Sequence, residues 1–337
     1  MGGIMIGKQS VKFDKGIYIE ATATVVSEKE KEGPLGKLFD VVVEDPMAGQ
    51  ENWEKAESKL QEIAVDKLFM KSSYKKEDVR YIFAGDLLGQ LIATSFGLKR
   101  YEIPIFGLYG ACSTFAEGLS LAAITISSGA ADNVIALASS HFASAEKQFR
   151  FPLEYGNQRP ESSTWTVTGC GAAMVTKNKT PVRIAGITTG KIVDYGVKDS
   201  MNMGACMAPA AADLIETNLK DFGVDASYYD RIITGDLGTV GRTILIDLLA
   251  EKGIRIQDNF MDCGIEIYDS ESQDTKAGGS GCGCSAVTFG AYIINHLITG
   301  KWNRILFIPT GALLSTVSYN EGESVPGVAH GVVIERS

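Results

Sequence analysis

Cys112 is the residue of this 337-residue chain whose surroundings best fit a chemical role. It follows an apolar run that begins at Ile105, and it precedes a stretch rich in Ala, Leu and Ile from residue 115 to 128, in which only Glu117 is charged. Gly129 then supplies a typical helix end, so the pattern predicts a strand, a sharp turn and a buried helix. The N–H groups and dipole at the helix N-terminus would lower the pKa of the Cys112 thiol. The alternative is an inert buried cysteine, since free cysteines are among the most buried residues.

Cations and aromatic residues are mixed in the segment from His141 to Trp165. Pro152, Gly156 and Pro160 interrupt any helical pattern there, which predicts a long ordered loop. Its cations are Lys147, Arg150 and Arg159, and its aromatic residues include Phe149, Phe151 and Tyr155. Such a segment could bind a flat anion, or its cations could pair with nearby carboxylates on a solvated surface.

Composition excludes several classes of protein. The formal net charge is −9 and no basic run is present, so no nucleic-acid partner is predicted. The six cysteines are too sparse for a disulfide scaffold, and Cys282 and Cys284 have no second pair or suitably spaced histidine for zinc. No signal peptide or membrane-spanning segment is recognised, and an intracellular location is expected. No metal or cofactor is predicted.

Strands and helices alternate along the chain, which predicts an α/β fold with parallel sheet covered on both faces. Strands are predicted at 17–25, 79–84, 105–108, 134–138, 167–175, 231–234, 304–308 and 328–335, and helices at 52–70, 90–97, 115–128, 209–219, 244–252 and 285–299. The segment 182–192 begins a second section of the chain.

Two sequence patterns occur twice in the same order. RYIFAGDL at 80–87 resembles RIITGDL at 231–237, and a Cys-Ser pair followed by a small-residue segment, a glycine and an apolar strand begins at both Cys112 and Cys284. This repetition predicts a duplicated architecture with an N-terminal half, 1–178, and a C-terminal half, 179–337. A pseudo-twofold axis would place the two cysteines at the N-termini of facing central helices, with a pocket where the halves meet.

The cysteine on a strand–helix turn and the duplicated plan resemble the thiolase and β-ketoacyl synthase superfamily. This resemblance implies a five-layered α-β-α-β-α fold, with Cys112 at the nucleophile position. Enzymes of that superfamily use two further polar residues, His with His or His with Asn, to activate the thiol and stabilise an enolate. Here the first of those positions contains Asp236, and the glycine-rich turn at 281–284 carries neither histidine nor asparagine. Ordinary condensation is therefore not expected, unless His141 or His330 reaches the pocket.

A second resemblance rests on GACST at 110–114, SSH at 139–141, EKQFR at 146–150, MAPAAAD at 207–213, GGSGC at 278–282 and AHGVV at 329–333. Together these are similar to the stage V sporulation protein AD family, thiolase-like proteins of endospore formers. The resemblance implies binding of dipicolinic acid (pyridine-2,6-dicarboxylate), as the free acid or its calcium chelate, and a part in its uptake into the developing spore. It also implies a homodimer, other stage V sporulation proteins as partners, and a place in the spore, peripheral to the inner membrane.

A planar dianion needs cations or N–H donors when it is buried. The candidate ligand-binding residues are therefore Cys112, His141, Lys147, Arg150, Arg159, Asp236 and His330. Asp236 and Asp86 occupy equivalent places in the two halves, so a structural turn or cap role is the alternative for both. The competing functions are an acyl-thioester transferase that uses Cys112 as nucleophile, and an interaction protein with a vestigial pocket.

Overall fold

The computed structural model describes residues 2–14, 16–149 and 159–337, without the side chains of 147–149. The strands within these ranges are β1 Ile4–Ile6, β2 Ser10–Lys12, β3 Tyr18–Ser27, β4 Val41–Val43, β5 Tyr81–Gly85, β6 Ile105–Gly107, β7 Asn133–Ser140, β8 Trp165–Thr166, β9 Gly169–Thr176, β10 Val182–Thr188, β11 Arg231–Thr234, β12 Phe260–Asp262, β13 Gly279–Ser280, β14 Arg304–Ile308, β15 Thr310–Ala312, β16 Gly327–Ala329 and β17 Gly331–Arg336. The α-helices are α1 Glu28–Lys31, α2 Trp53–Lys71, α3 Ile92–Leu98, α4 Thr114–Ser127, α5 Phe142–Phe149, α6 Met203–Phe222, α7 Gly238–Glu251, α8 Cys263–Ile267, α9 Cys282–Thr288, α10 Ile294–Ile298 and α11 Thr316–Asn320.

The main sheet contains the same five-strand arrangement twice. In the first section β5 pairs in parallel with β6 and β7, and β9 then pairs antiparallel with β7 and β3. In the second section β11 pairs in parallel with β12 and β14, and β17 pairs antiparallel with β14 and β10. The two sections are joined by a short antiparallel pairing of β3 with β10. The strand order therefore repeats in the way that the duplicated sequence pattern predicts.

Three clusters of buried apolar side chains fill the spaces between the layers. One joins α2 to the first section, one joins α6 and α7 to the second, and the third surrounds α4 and α9 in the middle. In that middle cluster the Phe115, Phe289 and Phe307 rings lie with centroids 5.0–6.3 Å apart. Every residue of α9 is buried, which explains its small and apolar sequence. The arrangement is the five-layered α-β-α-β-α plan.

Asparagine side chains cap the N-termini of the outer helices α2 and α6. Asn52 accepts a hydrogen bond from the Lys55 N–H at the start of α2, and Asn202 accepts one from Ala205 at the start of α6. The prediction that the latter helix starts at Pro209 is wrong, because α6 runs through this proline from Met203. Likewise α7 begins at Gly238 and not at residue 244.

None of the helices in the described ranges combines the length and apolar character that a membrane span requires.

The segment after His141 does not begin as the predicted loop. Residues Phe142–Phe149 form helix α5, whose Ala, Glu, Lys and Gln residues have high helix propensity. The breaking residues Pro152 and Gly156 lie beyond its end. Of the predicted cations in this segment, Arg150 and the side chain of Lys147 lie outside the described part of the structure.

Candidate ligand pocket beside Cys112

A pocket of about 480 Å³ lies next to Cys112, where loops from both halves meet. Its lining is apolar with several hydroxyl groups, and within the described residues it carries neither a charged side chain nor a histidine. The lining residues are Leu87, Tyr109, Ala111, Cys112, Thr166, Met203, Ser280, Ala312, Leu313, Leu314, Ser315 and Thr316. Both the size and the mixture of apolar walls with a few polar groups are typical of small-molecule sites.

The turn that carries Cys112 is strained and tightly held. Ala111 has a left-handed backbone conformation, φ +51°, which is unfavourable for a residue with a Cβ atom. Its carbonyl oxygen accepts hydrogen bonds from the Thr114 hydroxyl at 2.7 Å and from the Cys282 thiol at 3.0 Å. Gly311 allows β15 to approach this turn closely, because a Cβ atom there would lie 2.5 Å from the Gly110 oxygen. The surroundings therefore fix the position of Cys112 at the N-terminal side of α4, as predicted.

The Cys112 thiol is not activated in this environment. Burial raises its pKa well above the ordinary value, and the nearby Asp236 carboxyl, to which the thiol donates a hydrogen bond, raises it further. An N–H from Gly281 acts in the opposite direction but is outweighed. The prediction of a lowered thiol pKa at the helix N-terminus is wrong, because desolvation and a neighbouring carboxyl exceed the effect of the helix dipole.

Asp236 is completely buried, and its partners come from both halves of the pocket base. It accepts hydrogen bonds from the Gly281 N–H at 3.0 Å, from the Thr310 hydroxyl at 3.1 Å and from the Cys112 thiol. Burial raises its pKa to about 7, although these hydrogen bonds lower it. A proton on Asp236 is therefore readily lost or gained near neutral pH. A carboxyl at this place cannot stabilise a thiolate as an imidazolium would.

The glycine-rich turn supplies thiols where a second catalytic base would be needed. Gly281 has φ +100°, and a Cβ atom there would lie 2.7 Å from the Ser140 hydroxyl, so the turn requires glycine. The two thiols that follow it, of Cys282 and Cys284, are buried and point to the carbonyl oxygens of Ala111 and Gly235. Burial raises the pKa of both thiols, which leaves them as neutral hydrogen-bond donors.

The two histidines that might have replaced the missing bases lie elsewhere. His141 is buried, its Nε2 lies 2.8 Å from the Pro46 oxygen, and it packs on Trp53 beside a separate pocket of about 240 Å³. His330 is partly buried and does not line the Cys112 pocket, and burial lowers its pKa to about 4. Both are therefore neutral near pH 7, and neither contacts the Cys112 thiol.

Arg159 lies outside the lining of the Cys112 pocket. It donates hydrogen bonds to the Asp274 carboxylate at 3.0 Å and to the Asp274 carbonyl oxygen, and it stacks over Trp165 with the guanidinium 4.8 Å from the ring centre. Of the predicted binding residues in the described ranges, the structure brings Cys112 and Asp236 together and places the others apart.

Several lining residues were not found by sequence reasoning. Met203 precedes the predicted start of its helix. Residues 313–315 form the loop between β15 and α11, and Thr316 begins α11; the sequence does not reveal the direction in which this loop leaves the strand. Tyr109 could have been noticed, since an aromatic residue directly before a Gly-Ala-Cys turn is poorly placed for a core; its side chain is exposed. By contrast, Asp86 has the predicted capping role, because its carboxylate accepts hydrogen bonds from the Leu88 and Thr94 N–H groups.

Solved structures define the class of fold. The chain superposes on 3-oxoacyl-[acyl-carrier-protein] synthase III from Aquifex aeolicus VF5 with a TM-score of 0.59 at 15% identity, covering 95% of this chain and 100% of that one. It superposes on the Acat5 thiolase from Ascaris suum, solved in complex with coenzyme A, with a TM-score of 0.57 at 11% identity, covering 96% and 100%. The protein therefore has a thiolase-like fold, as the sequence predicts.

Sequence comparison defines the family within that class. The family model for stage V sporulation protein AD matches residues 7–335. The chain is also 42% identical over 333 residues to the stage V sporulation protein AD of Bacillus subtilis (strain 168), which covers 99% of this chain and 98% of the relative. The chain belongs to the stage V sporulation protein AD family.

Proposed function

We propose that this protein is a non-catalytic receptor of sporulation that binds dipicolinic acid in the Cys112 pocket and takes part in its uptake into the developing spore. The observation that carries the proposal is the pairing of the Cys112 thiol with the Asp236 carboxyl. A thiolase-like pocket has been kept, while a carboxyl occupies the place of the base that would make the thiol a nucleophile. Such a pocket can hold a small molecule without transforming it.

The neutral lining restricts how a dianion can be held. Hydroxyl groups of Thr166, Ser280 and Ser315 can donate hydrogen bonds to carboxylates, but they cannot neutralise them. Two sources of positive charge fit the proposal. One is the predicted pair Lys147 and Arg150, and the other is a calcium ion that enters with the ligand as its chelate.

Isothermal titration of the protein with dipicolinate, with and without calcium, tests this proposal directly. Ala312→Leu fills the pocket and should abolish binding, whereas Cys112→Ala should retain it because no covalent step is required. Lys147→Ala and Arg150→Ala should weaken binding of the free acid more than that of the chelate. Absence of binding to the parent protein would favour the interaction protein with a vestigial pocket.

The second candidate function is an acyl transfer to Cys112 from a coenzyme A or carrier-protein thioester. It is favoured by the retained thiol at the pocket wall and by a fold shared with enzymes. Intact mass measurement after incubation with acyl thioesters tests it. A stable adduct that is absent from Cys112→Ala would establish this function in place of the receptor.

The proposed receptor is a homodimer that associates through the exposed edge of the first sheet section. Strand β6 lies at that edge, with Ile105 45% exposed and Phe106 52% exposed. An uncovered apolar edge strand is prone to pair with another strand. We place the dimer in the spore, peripheral to the inner membrane, with other stage V sporulation proteins as its partners.

A further inference from the structure

A second pocket, of about 420 Å³, lies at the opposite end of β14 from Cys112. Arg304 begins this strand, whereas Thr310, six residues later, donates a hydrogen bond to Asp236, the partner of the Cys112 thiol. At about 3.3 Å for each residue of a strand, the two sites are roughly 20 Å apart. The residues that line the second pocket are Ile6, Lys12, Arg183, Ala185, Asp221, Phe222, Tyr228, Arg304, Val333 and Glu335.

One buried carboxylate holds two arginines at the wall of this pocket. Arg304 donates from Nε to Glu335 Oε1 at 2.5 Å, and Arg183 donates from Nη2 to Glu335 Oε2 at 2.6 Å. Burial alone would raise the pKa of Glu335, but the hydrogen bonds from Arg304 and Arg183 lower it below its ordinary value. The carboxylate thus stays ionised and fixes both guanidinium groups in place.

Arg183 has little capacity left for a ligand, because it also donates from Nη1 to the Asp14 carbonyl oxygen at 3.4 Å. The donors that remain belong to Arg304 and Lys12. Arg304 lies over the Tyr228 ring at 4.0 Å, and among the described residues its terminal nitrogens form no hydrogen bond. Lys12, an exposed residue of β2, forms no ion pair within the same ranges. The remaining acid, Asp221, already accepts hydrogen bonds from the Ser10 hydroxyl and the Gln9 N–H.

We propose that this pocket binds a small organic anion that carries phosphate or carboxylate groups. The stacked, pre-positioned Arg304 guanidinium loses little entropy when its terminal nitrogens bind such a group bidentately, and the nearby Lys12 adds a mobile positive charge. The pocket volume lies within the range of small-molecule sites, about 300–1,000 Å³. The lining carries three cations, Lys12, Arg183 and Arg304, against the carboxylates of Asp221 and Glu335, so its net charge is positive in a protein whose net charge is −9. The site is separate from the proposed dipicolinate pocket.

Isothermal titration of the full chain at low salt, with pyrophosphate and with citrate as separate probes, tests the proposal. Lys12→Met should weaken binding of the recognised probe at least fivefold, and Arg304→Gln should abolish it. Lys8→Met is the matched control, since it removes an equally exposed lysine from the preceding turn that does not line the pocket. Dipicolinate affinity at the Cys112 pocket should be the same in the parent and in Lys12→Met.

Either probe can support the site, and the probe that binds assigns the ligand as a phosphate or a polycarboxylate compound. The proposal is overturned if neither probe binds at millimolar concentration, or if Lys12→Met and Lys8→Met weaken binding equally. Arg304→Gln leaves Glu335 with one arginine and could unfold the edge of the sheet. The exposed Lys12→Met variant, checked by circular dichroism, then decides the outcome alone.

Discussion

Asp236 determines the chemical character of the Cys112 pocket. A histidine in that place would accept the thiol proton and then stabilise the thiolate. A carboxylate repels a thiolate instead, so Asp236, whose pKa is about 7, disfavours ionisation of the Cys112 thiol. The same residue couples the pocket to pH. Below pH 7 the pocket base is neutral, and above it the base carries one negative charge beside any bound ligand.

This coupling predicts that dipicolinate affinity falls as the pH rises through 7. Between pH 6 and pH 8 the two ligand carboxylates keep their charge, while Asp236 loses its proton and repels them. Asp236→Asn should bind roughly tenfold more tightly than the parent at pH 8 and equally at pH 6. Titration calorimetry at the two pH values measures the difference.

The matched control is Asp269→Asn, which removes the same charge from the surface. It should follow the parent at both pH values. A parent affinity that does not change between pH 6 and pH 8 would show that the ligand does not sense Asp236.

The sequence predicted the chemical groups at Cys112 and Asp236, and Asp236 in the place of a base already argued against condensation, but the net direction of the Cys112 pKa shift was predicted wrongly. Residue types and the strand–turn–helix pattern located both positions, because they depend on local sequence. The direction of the Cys112 pKa shift depends on burial and on a contact across 124 residues, which local patterns do not contain. His141 and Arg159 were proposed as ligand-binding residues from their types alone, and their partners Pro46 and Asp274 come from distant segments.

At the scale of elements, a buried polar network fastens α2 to the first sheet section. Glu57 of α2 accepts hydrogen bonds from the Ser139 hydroxyl at 2.8 Å and the Ser144 hydroxyl at 2.9 Å. Gln61, one turn further along the helix, donates to Ser139 at 2.7 Å. Burial, and then the nearby Asp86, raise the pKa of Glu57 to about 8. The network therefore contains a proton at neutral pH.

Replacing Glu57 by glutamine should remove a pH-dependent loss of stability. Because the folded pKa is raised above that of the unfolded chain, the parent loses folding free energy as the pH rises from about 4.5 to about 8. Glu57→Gln should therefore be more stable than the parent at pH 9, by on the order of 4 kcal/mol, and similar to it at pH 5. Urea unfolding at both pH values, followed by circular dichroism, measures this.

Glu54→Gln is the control for this experiment, since Glu54 lies on the exposed side of the same helix. It should change stability by less than about 0.5 kcal/mol at either pH. Equal effects of the two substitutions would mean that the buried network does not hold the proton.

Helices and strands were predicted correctly where the sequence pattern that defines them lies within the element itself. The strand at Arg231–Thr234 and the helix ending before Gly129 have clear apolar patterns and end signals, and both were located within two residues. Helix α5 was missed because Pro152 and Gly156 dominated the pattern of its segment. The start of α6 was missed because Pro209 suggested a first turn, whereas packing in the second half tolerates it in the helix interior.

For the whole molecule, the exposed edge strand makes association testable. Ile105→Lys places a charge on β6 and should weaken the proposed dimer at least tenfold without loss of folding. Light scattering during size-exclusion chromatography, over a range of protein concentrations, measures the change.

Ile192→Lys is the control, because this isoleucine is 66% exposed and lies outside the edge strand. It should leave the association unchanged. A parent protein that remains a monomer at all concentrations would rule out association through β6.

The pairing that joins the two sheet sections has a consequence for dissecting the chain. Within the described part of the chain, strand β3 pairs with β10 at residues 182 and 183, and β2 pairs with the same edge of β10 at Gly186 to Thr188. The first dozen residues thus complete a strand that comes from the other half of the sequence. A fragment starting at residue 179 would expose bare backbone along β10, so the halves should fold only together, and two fragments cut there should rescue each other when mixed.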